Sequence, residues 1–127
     1  MKRKAEARCP CGSGNALEDC CARWHRTLQA PTAEALMRSR YSAYVLENEP
    51  YLLATWHPAT RPASAGLEAG TRWLGLTVKD ARALGPDEAE VTFVARYRIG
   101  GNPAVRLEER SRFVREQGHW FYVDGRQ

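Results

Sequence analysis

Cysteine is absent from everything after position 21 of this 127-residue chain, and all four cysteines fall between Cys9 and Cys21. A disulfide framework ties distant segments together, because closing long loops removes the most entropy from the unfolded chain. Cysteines packed this closely would tie almost nothing, so a disulfide scaffold is excluded. Long apolar runs are also missing; no stretch approaches the ~20 residues a membrane helix requires. The basic start, Met1 to Arg8, leads into no apolar segment, so no secretory signal is expected and the chain is expected in the cytoplasm, where thiols stay reduced. There is no phosphate-cradling glycine loop, no nucleophile beside an evident base, no internal repeat and no low-complexity tract. A strong charge bias is lacking too. Nineteen basic against fifteen acidic side chains give +4, too little to mark a nucleic-acid binder.

Apolar residues make up 43% and charged residues 27%, which suits a folded domain rather than a disordered chain. The clustered cysteines read Cys9-Pro10-Cys11-Gly12-Ser13-Gly14, then five residues, then Cys20-Cys21. Thiols grouped this way in a reducing compartment point to metal, and four thiolates meet the tetrahedral demand of a closed structural zinc site; soft sulfur also accepts iron. Pro10 stiffens the first pair, and Gly12 and Gly14 allow the tight turn. Leu17 to Trp24 is expected to form a short helix carrying Cys20 and Cys21. Neighbours on one helix diverge, so one of them needs an adjusted first turn. His25 offers a substitute ligand, although four cysteines already fill the site. A chelator is expected to melt only roughly the first 25 residues. A loaded site, with its thiols deprotonated, lowers the net charge to about +2.

Residues 26–31 read as a linker. Thr32 suits an N-cap and Glu34 a first turn. Ala33, Leu36, Met37, Tyr41, Tyr44 and Val45 then recur at helical steps, with Arg38 and Arg40 off the stripe. Asn48-Glu49-Pro50 opens a second, short helix that ends before Pro58. Residues 60–71 form a loop. The period then changes to two. Leu74, Leu76 and Val78 alternate, as do Ala89 to Ile99 and Val105, Leu107, Glu109, Ser111 and Phe113, and residues 119–123 are aromatic-rich. Breakers at Gly85-Pro86-Asp87, Gly100 to Pro103 and Glu116 to Gly118 make this a four-stranded antiparallel meander. One face of such a sheet must be covered, so the architecture is α+β, with the helices lying on the sheet.

The cysteine segment resembles the SEC-C metal-binding motif found at the tail of the secretion-translocase ATPase. Cys9 to Gly14 match it letter for letter, Leu17 takes its apolar position and Cys20-Cys21 close it. Asn15-Ala16 replaces the usual Lys-Lys pair, which spares the ligands but removes a basic face. Helices followed by a long meander are similar to the cone-shaped NTF2-like fold. Ala30 to Tyr44, Tyr51 to Pro58, Glu109-Arg110-Ser111-Arg112-Phe113 and Trp120 to Gly125 look like words of the uncharacterised YchJ-type (UPF0225) proteins. The resemblance covers about Cys9 to Gly125, with Glu108 where that family often has histidine. It implies a knuckle over residues 1–26 bound to zinc by Cys9, Cys11, Cys20 and Cys21, and an NTF2-like domain over residues 27–127.

The resemblance also implies a cone pocket. Its polar candidates are Arg38, Arg40, Trp56, His57, Arg61, Glu109, Arg112 and Trp120. Glu109 shares a strand face with Leu107 and Phe113, so its carboxylate needs a partner, and Arg38 or Arg40 is the natural one. The favoured function is binding. The knuckle is expected to dock on a protein partner, with the export or ribosomal machinery implied by the resemblance, and the cone to take a small ligand or second partner. The alternative is an enzyme with His57 and Glu109 as its acid–base pair. Nucleic acid and membrane are not expected partners.

Overall fold

A computed structural model describes residues 7–127; the basic Lys2, Arg3 and Lys4 lie outside them. A 3-10 turn (Leu17–Asp19) leads into α1 (Cys21–Thr27), α2 (Ala33–Val45) and α3 (Glu49–Ala54). Four strands follow: β1 (Thr71–Gly85), β2 (Glu88–Ile99), β3 (Val105–Glu116) and β4 (His119–Arg126). This is the expected α+β order.

The helix starts follow from side chains that satisfy open backbone donors. The Thr32 hydroxyl accepts from the Ala35 N–H at 3.0 Å and opens α2. Asn48 accepts from the Tyr51 N–H at 3.2 Å and opens α3, with Pro50 in its first turn. The first helix departs from expectation. It does not run unbroken from Leu17, because the backbone breaks at Cys20 (φ −129°, ψ −114°). Adjacent residues on one helix point about 100° apart, and the break returns Cys20 to the same site as Cys21. The helix also continues to Thr27, into the expected linker.

The strands pair in the order β1-β2-β3-β4, all antiparallel. Val91 stands opposite Ser111 and Phe93 opposite Glu109, so these residues share the inner face that the alternation predicts. β1 is longer than the run around Leu76 suggests. Its register slips between Trp73 and Gly75, Val78 and Asp80, and Ala83 and Gly85. Each slip bends the strand and increases its twist, and the sheet curls toward α2. The core forms in that concavity, from Leu36, Met37 and Tyr41 on α2, Leu52 on α3, and Val91, Phe93 and Phe113 on the sheet. Leu36, Leu52 and Phe113 are at most 1% exposed, each worth roughly 1.5–3 kcal/mol of burial. After α3 the chain is tied to β4: His57 N–H donates to Tyr122 O, and Tyr122 N–H donates to Thr55 O, both at 2.8 Å. No helix among the described residues is long and apolar enough to cross a membrane.

Candidate metal centre and cavity

Backbone bonds shape the cysteine loop before any ion is considered. Arg8 and Ala16 form an antiparallel bridge, and Cys9 N–H donates to Asn15 O at 2.9 Å. Gly12 is required twice: its φ is +84°, and a Cβ there would lie 3.3 Å from the Leu76 carbonyl oxygen of β1. The four Sγ atoms all lie within 4.8 Å of one another, and those of Cys11 and Cys20 are 3.6 Å apart. Tetrahedral sulfur ligands at about 2.3 Å from zinc stand about 3.8 Å from each other, so the set fits one four-coordinate ion.

The thiols alone cannot all ionise. Hydrogen bonds from Cys11 and Cys21 draw Cys9 well below the usual thiol range. Burial pushes Cys20 up, and hydrogen bonds with Cys11 and Cys9, then burial, hold Cys21 up. A bound cation supplies the charge that makes four thiolates compatible. His25, the substitute ligand considered above, is occupied elsewhere. Its Nε2 donates to Ser39 O at 2.8 Å, and its ring packs on Tyr51 at 4.6 Å.

The knuckle is built against α2. Ser42 Oγ lies 3.4 Å from Cys9 Sγ. Arg38 Nη1 donates to Cys11 O at 2.8 Å, while its Nε pairs with Glu34 at 3.0 Å. Trp24 of α1 packs on the main core, and Leu76 of β1 packs on the cysteines. A chelator is therefore expected to loosen α2 as well, rather than roughly the first 25 residues alone.

Between α2, the inner face of the sheet and residues 65–70 lies a cavity of about 660 Å³, within the range of small-molecule sites. Its loop wall is pinned by the Glu49 carboxylate, which accepts from Ser64 Oγ at 3.1 Å and Ala65 N–H at 3.0 Å. Trp73 stands in the wall with Tyr41, Tyr44 and Tyr97 at 5.6, 5.7 and 5.3 Å. Arg40, 6% exposed, comes from α2. Its Nη1 donates to Leu52 O at 2.8 Å and Thr55 Oγ1 at 2.7 Å. The guanidinium lies 5.0 Å over Trp56 and 4.6 Å over Tyr122. Its Nε and Nη2 have no hydrogen-bond partner among the described residues.

Glu109 lines the same cavity and accepts from Ser111 Oγ at 2.7 Å. It has no cationic partner within 4 Å among the described residues. The direct arginine–glutamate pair expected from the sequence is thus replaced by two charges sharing one cavity. Burial lowers the Arg40 pKa, while burial and then Glu109 push Tyr122 up to about 12. A Cβ at Gly125 would overlap the Glu109 carboxylate, so this glycine makes the room in which Glu109 sits. Gly125→Ala is expected to push the Glu109 side chain aside at a cost of about 0.5–1 kcal/mol, because the atoms it meets belong to a flexible side chain beside a cavity. Urea unfolding checks this; an unchanged midpoint would show that Glu109 yields freely.

The other candidates lie outside the cavity lining. His57 Nδ1 accepts from Ala59 N–H at 3.0 Å, which leaves Nε2–H to donate to Glu116 at 2.9 Å. His57 and Glu109 are not brought together. Arg61 Nε donates to Trp56 O at 2.9 Å. Arg112 pairs with Asp124 at 3.1 Å on the far face of the sheet. Arg38 belongs to the knuckle. Trp56 and Trp120 pack beneath Arg40 and Arg115, each with an indole N–H that has no acceptor among the described residues. Sequence reasoning missed the cavity roles of Tyr41, Tyr44, Trp73, Tyr97 and Tyr122. Strand alternation alone could have found Tyr97, which shares the parity of Phe93.

Known proteins share both parts of this arrangement. The family model for the YchJ middle NTF2-like domain matches residues 32–125, and the SEC-C motif matches residues 7–23. A UPF0225 protein of Xanthomonas campestris pv. campestris is 59% identical over 120 residues, 93% of each chain. Another, from Methylibium petroleiphilum, is 59% identical over 119 residues, covering 92% of this chain and 86% of its own. The solution structure of a SEC-C motif containing protein from Rhodopseudomonas palustris matches with a TM-score of 0.80 at 35% identity, over 93% of this chain and 96% of that one. A crystal structure of a SEC-C motif containing protein from Psychrobacter arcticus matches at 0.77 and 29%, over 91% and 80%. With the cysteine motif and the cone matched in one chain, and relatives aligned over most of their lengths, the protein belongs to the YchJ-type UPF0225 family.

Proposed function

We propose that this is a cytoplasmic binding protein in which a zinc knuckle braces an NTF2-like cone, and the cone holds a small organic ligand. One observation carries the reading. Arg40 and Glu109 line one cavity of about 660 Å³ with aromatic walls, without pairing directly. Buried polar groups are normally hydrogen-bonded. A ligand whose polar head both accepts and donates would satisfy Arg40 and Glu109 together, with its apolar body against Trp73 and the tyrosines. The exposed turn at residues 12–15 leaves the knuckle an edge for a protein partner, and the likeness to knuckles of export machinery supports one there.

The cavity is tested on protein purified without denaturation. Solvent extraction followed by mass spectrometry is expected to release a small molecule from the unaltered chain, and at least about tenfold less from Glu109→Gln, since a lost charged hydrogen bond is worth about 1.5–3 kcal/mol. Equal recovery from both proteins, or none from either together with no thermal shift across a metabolite panel, would refute ligand binding at this cavity.

A further inference from the structure

The outer face of the sheet carries a charge pattern that the cavity does not use. Trp73, Tyr97, Leu107 and Glu109 line the cavity, so their strand neighbours Arg72, Arg96, Arg98, Arg106 and Arg110 project to the opposite face. Pairing then sets like against like. Arg72 stands opposite Arg98, Arg96 opposite Arg106, and Arg110 opposite Arg126. All six are exposed. Like charges directly opposite destabilise a sheet, so these pairs do nothing for the fold.

Three of the carboxylates on this face are held in ion pairs. Glu90 pairs with Arg82 at 3.1 Å and Asp124 with Arg112 at 3.1 Å. Glu108 is shared by Arg106 at 3.3 Å and Lys79 at 3.8 Å. Among the described residues, Arg106 alone of the six has a carboxylate oxygen within 4 Å. Among the described residues the other five have no carboxylate oxygen within 4 Å, although Arg110 and Arg126 share a small cleft with Glu90 and Asp124. By the register, the three pairs step obliquely from the start of β1 to the end of β4. With ~6.8 Å per two residues and ~4.8 Å between strands, the band is on the order of 25 Å long.

We propose that this arginine band docks the phosphate backbone of a nucleic-acid duplex. The guanidinium fork matches phosphate in a bidentate way that lysine does not, and every member of the three pairs is arginine. At about 3.4 Å per phosphate along one strand, the band spans about seven phosphates. Trp73, Tyr97 and Tyr122 face the cavity, so the band has no platform for the base stacking that single-strand binders use. It also lacks the aromatic anchors that dominate protein interfaces. A duplex presents its phosphates outermost and needs neither. The mild net charge hid this face, because Glu47, Glu68 and Glu109 lie at the cavity instead. The proposal is independent of the cavity reading.

The test uses the full chain with its metal and fluorescence anisotropy. The probes are a labelled DNA duplex of about 20 base pairs, the same sequence as duplex RNA, and a polyglutamate peptide of equal length, from about 50 to 200 mM salt. Duplex binding is expected to be sequence-independent and to weaken steeply with salt; whichever duplex binds more tightly identifies the nucleic acid. Combining Arg96→Gln with Arg106→Gln should weaken binding about tenfold or more and reduce the DNA salt slope by about 1.8. Relief of like-charge contact should leave that variant at least as stable as its parent. Arg82→Gln, at a residue paired with Glu90, should change affinity less than about twofold. No duplex binding at the lowest salt, binding indifferent to the double substitution, or polyglutamate binding as tight as either duplex would each overturn the proposal.

Discussion

Stripping the metal, or replacing Cys20 with serine, is expected to lower the unfolding temperature of the whole chain by on the order of 10 °C. Three contacts transmit the loss. Ser42 Oγ sits 3.4 Å from Cys9 Sγ, Arg38 donates to Cys11 O, and His25 donates to Ser39 O. Ser39 in turn bonds the Tyr51 hydroxyl of α3 at 2.6 Å. α2 therefore has the metal loop on one side and the cavity on the other. Thiols that cannot ionise together will part when the cation leaves, and Cys21 and Trp24 move with α1. Calorimetry of loaded and chelated protein reads the effect. Equal melting of the two forms would show that the knuckle contributes nothing beyond itself.

Arg40→Ala should be the most damaging substitution in the cone, at about 3–5 kcal/mol in urea unfolding. It strips the donor from Leu52 O and Thr55 Oγ1 and the cation from the faces of Trp56 and Tyr122. It also leaves Glu109 alone in the cavity. Arg40→Lys should recover little, because a compact ammonium on a shorter reach does not reproduce the guanidinium's contact with both rings while donating to two acceptors. A loss below about 1 kcal/mol would mean that Arg40 is retained for a ligand rather than for the fold.

Local rules in the sequence explain most of the frame. Thr32 and Asn48 are capping residues with a helical stripe behind them, and each opens a helix. The period of two in β3 places Glu109 inward. The same parity puts Arg112, three residues on, outward, so its position on the far face was available from the sequence. Arg38 and Arg40 were both natural partners for Glu109. Two residues turn about 200° around a helix, so only one could face the sheet, and the choice depended on how α2 lies. Arg40 faces the cavity and Arg38 the knuckle. Contacts such as Ser42 with Cys9, 33 residues apart, have no local signature. Tyr41 and Tyr44 read as ordinary stripe residues, because an apolar helix face looks the same whether it meets a filled core or a cavity. The break at Cys20 was foreseeable as a need, since adjacent ligands diverge on a helix, although its placement was not.

Hydrogen exchange at the α2 amides from Ser39 to Ala43, compared between metal-loaded and chelated protein, tests most directly whether the knuckle and the cone form one cooperative unit. The account predicts that chelation speeds exchange through these amides together with those of α1. Unchanged protection in α2, with acceleration confined to residues up to Thr27, would contradict it.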